Sequence, residues 1–222
     1  LARQGSDDRV QLGRLGRAGE QEVLALQGVS HAVAGDAVAS ADLGVAPRRL
    51  GLDLAPEGAD AVADATIGYA RDNGGGLTAD AFVTAHLFAG AAGKADYVEG
   101  GGGVAYSLGP AQIGLDARYA PSQGAIGGDA LYLAARARAG IPATRWTIDA
   151  AVGRSSGEID DPARAARLRP GGTYVDWALG ATWIAGPWEI GARYTGTDIA
   201  DDGTMTTRHA GDRIMGRIAF AF

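Results

Sequence analysis

His31, His86 and His209 are the residues best able to bind a metal or move a proton near neutral pH, yet they stand far apart and none has a companion ligand at metal spacing. The chain has no cysteine, so neither a disulfide framework nor a thiolate centre is available. A hydrolytic triad needs a serine and an aspartate beside a histidine. Ser155 and Ser156 lie in one loop-like stretch and His209 in another with Asp201, Asp202 and Asp212, and no spacing ties the two together. Gly100 to Gly103 is a glycine run that no Lys-Ser/Thr pair follows, so it is not a phosphate loop. Gly13, Gly16 and Gly19 lack the strand and acidic partner of a dinucleotide site. These residues predict no catalytic group, no metal and no cofactor.

The remaining chemistry is electrostatic. Lysine and arginine number 20 against 26 acidic residues, for a net charge of -6, and the arginines are dispersed. Nucleic acid, which demands a basic stripe, is therefore not an expected partner. Reading the chain with the two-residue period of a strand puts Asp80, Glu99, Asp116, Asp149, Asp176 and Glu189 on one face. Arg118, Arg136, Arg138, Arg145, Arg193, Arg213 and Arg217 fall on the same face. Asp149 is expected to pair with Arg136 or Arg138, and Glu189 with Arg213 or Arg217. Arg136, Arg138 and Arg145, set beside Asp149 and Asp176, are expected to line a constriction of mixed sign.

The elements that must carry these charges are strands. No apolar run approaches the roughly 18 residues of a spanning helix. From Tyr97 onward, segments of about ten residues alternate apolar and polar, the signature of a transmembrane barrel strand. The last is the clearest: Ile214, Gly216, Ile218, Phe220 and Phe222 fall on one side, and Arg213, Met215, Arg217, Ala219 and Ala221 on the other. Thr173 to Ile184, Trp188 to Tyr194, Arg145 to Gly153, Leu131 to Ala139 and Ala111 to Tyr119 repeat the pattern. Short connections (Leu108 to Pro110, Ile141 to Thr144, Ala185 to Pro187) alternate with long ones (Ala120 to Asp129, Arg154 to Gly172, Thr195 to Asp212), as in a barrel whose two ends face different compartments. Trp146, Trp183, Trp188 and Tyr194 sit near strand ends on the apolar side, where a membrane girdle belongs.

The reading is all-β: a transmembrane antiparallel up-and-down β-barrel of about twelve strands, or ten, spanning 20–222 behind an N-terminal segment, 1–19, that matches no clear element. Leu77 to Phe88 and Ala61 to Ala70 are further strands, and Val23 to Val29, Ala37 to Val45 and Arg48 to Leu54 could supply three more. The competing fold is a soluble sandwich or lipocalin-like barrel with its apolar rows inside. The competing functions are a non-conducting, loop-presenting barrel and, more remotely, a membrane-embedded hydrolase. Beginning at Leu1 without an apolar targeting segment, the chain reads as a processed or trimmed product.

Several short motifs also resemble the TorF family of porins. They are Asp96-Tyr97-Val98-Glu99, Tyr119-Ala120-Pro121-Ser122, Gly128-Asp129-Ala130-Leu131-Tyr132-Leu133, Tyr174-Val175-Asp176-Trp177-Ala178-Leu179-Gly180 before the Gly186-Pro187 turn, and Ala192-Arg193-Tyr194-Thr195-Gly196-Thr197-Asp198. The resemblance covers residues 95 to 222, while residues 1 to 60 lack the family's aromatics. It implies a twelve-stranded barrel in the bacterial outer membrane that is surrounded by lipid and passes small polar solutes. The terminal Phe222 is similar to the signal by which the barrel-assembly machinery recognises a client's C-terminal strand.

Overall fold

The structure, a computed structural model, describes residues 30–34, 37–45, 61–200 and 211–220. Eleven antiparallel strands form one sheet in strict chain order. They are β1 (Ser30–Ala34), β2 (Ala37–Val45), β3 (Ala61–Asp72), β4 (Leu77–Ala89), β5 (Tyr97–Leu108), β6 (Ala111–Gln123), β7 (Gly128–Gly140), β8 (Trp146–Ser156), β9 (Tyr174–Ala185), β10 (Trp188–Thr197) and β11 (Arg213–Phe220). A single helical turn, α1 (Pro162–Ala165), lies between β8 and β9.

The expected count of about twelve becomes eleven among the described residues, and no pairing there joins β1 to β11. Residues 1–19, Phe222 and the strands expected at Val23 to Val29 and Arg48 to Leu54 lie outside the described residues.

A strand of 12 residues such as β9 is about 40 Å long at 3.3 Å per residue, and a tilt of about 40° lets it span about 30 Å, the thickness of a bilayer's hydrocarbon. The turn at 73–76 and those at 109–110, 141–145 and 186–187 share one end, here the turn end. The connections at 90–96, 124–127 and 157–173 share the other, the loop end, where β10 also finishes and β11 begins.

Three expected loops are corrected, among them Thr195 to Asp212, whose first residues, Thr195 to Thr197, belong to β10. Ala120 to Asp129 is mostly strand, because a bulge between Ala120 and Gln123 absorbs Pro121 and pairing resumes at Gln123 opposite Gly128. Arg154 to Ser156 likewise belong to β8. Gly and Pro do not end these strands: the ladder bends around them.

The two faces of the sheet differ in kind. The outer one exposes large apolar side chains, among them Ile67, Ile113, Leu115, Leu179, Ile214 and Ile218, and nothing among the described residues packs over them. The inner one holds the buried polar residues Thr84, His86, Glu99 and Ser155, together with Tyr132 and Tyr174. The sheet is a single layer. Its only hydrophobic cluster among the described residues forms at the loop end, where Tyr97, Ala120 and Ala130 of the inner face meet Ala125, Ile126 and Leu168 of the connections.

Candidate functional site

The inner face is organised by glycines that let side chains cross a neighbouring strand. Register sets Asp149 of β8 opposite Gly180 of β9, and Gly180 opposite Arg193 of β10. A Cβ on Gly180 would lie 2.8 Å from the Asp149 carboxyl carbon, so only glycine leaves the path open. Over it, Arg193 donates from Nη1 to Asp149 Oδ2 at 2.8 Å. In the same way Tyr132 of β7 reaches over Gly153 of β8 and donates its hydroxyl to Asp176 of β9 at 3.1 Å. Arg136 lies over Gly114, with a Cβ there only 2.9 Å from its Nε, and pairs with Asp116 at 3.0 Å. Gly103, inside the glycine run, sits between Asp80 and Asp116 in register, and its missing side chain makes room for the Asp116 carboxylate.

These contacts revise the expected pairing. Asp149 meets Arg193 rather than Arg136 or Arg138, because the glycine opens a route two strands away while Arg138, directly opposite in register, stays exposed and makes no ion pair among the described residues. Glu189 takes Arg217, one of its two expected partners, at 3.3 Å. Arg118 lies 5.8 Å over the Phe82 ring. Arg213 stands at the loop end of β11 opposite Thr195. Arg145 lies in the 141–145 turn rather than in a strand: it is exposed, and its carbonyl accepts from the Ile184 amide at 3.0 Å.

Sequence reasoning missed a polar cluster at His86. Its Nδ1 lies 2.8 Å from Asp64 Oδ1, its Nε2 is 3.6 Å from Glu99 Oε1, and its ring stacks on Tyr97 with centroids 4.4 Å apart. Counting outward from the 73–76 turn pairs Asp72 with Thr78 and Asp64 with His86, so the hairpin alone would have revealed the partner. Of the residues considered for a triad, Ser155 is fully buried on the inner face of β8, and His209, Asp201 and Asp202 lie outside the described residues.

The three connections at the loop end interlock over the inner wall. Asp161 caps α1 by accepting from the amides of Ala163 and Arg164 at 3.1 and 3.3 Å. The amides of Asp160 and Asp161 donate to Gly127 O at 2.9 and 3.0 Å, and that of Glu158 to Asp129 Oδ1 at 2.6 Å. Gly127 and Gly128 carry φ of 60° and 137°, and a Cβ on either would collide with the backbone of the 157–173 connection. Arg169, 2% exposed, donates to the carbonyls of Gly157 and Glu158. Burial lowers its pKa from the ordinary arginine value and nearby Asp129 opposes that shift.

On the outer face the aromatics fall into two groups. Trp146 faces Trp183 in register, and Trp188 meets Phe220 with ring centroids 4.8 Å apart, all near the turn end. Tyr194, six residues along β10 from Trp188, belongs instead near the loop end with Trp177 and Tyr119.

With this geometry in place, comparison with known proteins gives three results. A NanC porin in a rhombohedral crystal form has the same fold, with a TM-score of 0.56 over 87% of this chain and 91% of that one at 10% identity. No curated protein matches the sequence. The model of the Gcw_chp family, described as bacterial proteins of unknown function, matches residues 52–221, and the chain belongs to that family.

Proposed function

We propose that this chain is a bacterial outer-membrane channel through which small polar solutes or ions diffuse passively along an interior of mixed charge. The observation that carries this reading is the division of charge between the two faces. On β3 to β11 the only charged residues on the outer face are Arg71, Asp129 and Arg154, each among the last three residues at its strand's end. Every other charged residue of those strands is on the inner face. A charge facing lipid at midplane costs roughly 2–4 kcal/mol, so a sheet bathed in hydrocarbon must sort its charges in this way. In water the same outer face would be an apolar patch of a size that soluble monomers rarely expose.

The porin-like fold and the resemblance to the TorF family support the same reading. In it, Trp146, Trp183 and Trp188 anchor one interface and Tyr194 the other, outer-membrane lipid covers the apolar band, and Phe222 on the C-terminal strand is read by the assembly machinery. Arg118, Arg136, Arg138, Arg193, Arg213 and Arg217 line the passage with Asp149, Asp176 and Glu189.

The test is single-channel recording from purified protein in planar bilayers, with discrete conductance steps expected. Protein that is folded and inserted yet silent would leave the second reading, a barrel filled by its own side chains. The burial of Tyr132, Ser155 and Tyr174 on the inner face is the observation in favour of that alternative.

A further inference from the structure

We infer that the cap formed by the 90–96, 124–127 and 157–173 connections limits passage, and that Arg167 is its latch. This rests on the channel reading above. The Arg167 guanidinium donates to Ala125 O at 2.6 Å and to Ala95 O at 3.2 Å, tying the 157–173 connection to each of the other two. The same group lies 5.0 Å over the Phe88 ring and 5.9 Å over the Tyr97 ring, both on the inner wall. One planar group thus satisfies two carbonyls and stacks on two rings, which a lysine ammonium cannot reproduce.

The neighbouring arginines do different work. Arg169 bonds only within its own connection and fixes the loop's shape. Arg164 donates to Gly124 O at 2.6 Å, but its side chain is 42% exposed, so it adds a weaker tie.

The contrast along the wall places the narrowest part at this cap. Inner-face residues beneath it, Tyr97, Ala120 and Ala130, are almost inaccessible, whereas toward the turn end Gln112 and Arg138 are exposed and the side chains of the Asp149–Arg193 pair keep about a third of their surface open. Width and charge are therefore set in different places: the cap governs how much passes, and the wall governs which sign is preferred.

The experiment compares wild type, Arg167→Ala and Arg167→Lys by unit conductance and reversal potential in planar bilayers. Alongside, each is digested in detergent with a protease that cuts after Glu, to read local opening of the backbone at Glu158, whose side chain is exposed but whose amide is held by Asp129 Oδ1. Release of the latch should at least double the unit conductance of Arg167→Ala, leave its reversal potential in place and make Glu158 cleavable, with Arg167→Lys in between. A wild type that is silent beside a conducting Arg167→Ala supports the inference more strongly still. If Glu158 becomes cleavable and conductance does not change, the cap does not limit passage. If neither changes, Arg167 is not the latch. Should Arg167→Ala fail to fold, Arg167→Lys carries the same test. No conductance from any folded, inserted variant would instead overturn the channel reading, and this inference with it.

Discussion

The two ends of the same strands solve different problems. At the turn end the connections are brief, the inner face is open, and charges meet in partly exposed pairs such as Arg217 with Glu189. At the loop end the connections fold back, an apolar cluster forms around Ile126 and Leu168, and polar groups such as Arg169 and His86 are buried with their partners. A single-layer sheet has no second layer to bury anything against, so local packing must come from its own connections. The stability of the inner face is therefore concentrated where the connections are long, and its open space where they are short.

The largest expected effect tests whether lipid covers the outer face. Leu179→Arg, on the middle of β9 and facing outward at 60% exposure, should cost roughly 2–4 kcal/mol of unfolding free energy in lipid vesicles, whereas Thr182→Arg on the inner face of the same strand should cost far less. Equal costs in denaturant titrations would mean that the outer face does not meet lipid.

The next separates the two ends. Both Gly128 and Gly186 have positive φ, but a Cβ on Gly128 strikes the Glu158 backbone while nothing lies within 4 Å of Gly186. Gly128→Ala should cost roughly 2–3 kcal/mol from strain and collision together, and Gly186→Ala about 1 kcal/mol from strain alone. A Gly186 variant as damaged as the Gly128 variant would show that the loop end has no special packing.

A smaller effect concerns ion preference. Arg138 is an exposed cation without an ion pair among the described residues, whereas Arg136 is compensated by Asp116. Removing free positive charge from a confined interior favours cations. Arg138→Gln should therefore move the reversal potential in a salt gradient toward cations by more than Arg136→Gln does, and the opposite ranking would remove Arg138 from the conducting path.

The smallest is the Asp149–Arg193 pair. With side chains 27% and 33% exposed, its screened attraction is worth less than about 1 kcal/mol. Asp149→Asn should leave unfolding in lipid almost unchanged, and a loss of several kcal/mol would mean that the pair is sealed from water.

Much of this molecule was legible in the sequence because the pleat fixes a period of two. Ile214, Ile218 and Phe220 must oppose Arg213 and Arg217 whatever the rest of the chain does, and that settled the strands, their faces and the alternation of connections. Even the glycine run was legible as strand.

What only the tertiary structure decided was which groups meet. Alternation says that Asp149 faces inward, but the choice between Arg138 beside it and Arg193 two strands away turns on the missing side chain of Gly180, a contact distant in sequence. His86 is the exception, since register counted from the 73–76 turn is enough to set Asp64 against it. The cap is not legible in the sequence, because Gly127, Gly128 and Gly157 have the local pattern of ordinary turn glycines. Here they are points where two backbones approach too closely for any side chain, and no local pattern encodes the segment on the far side of that contact.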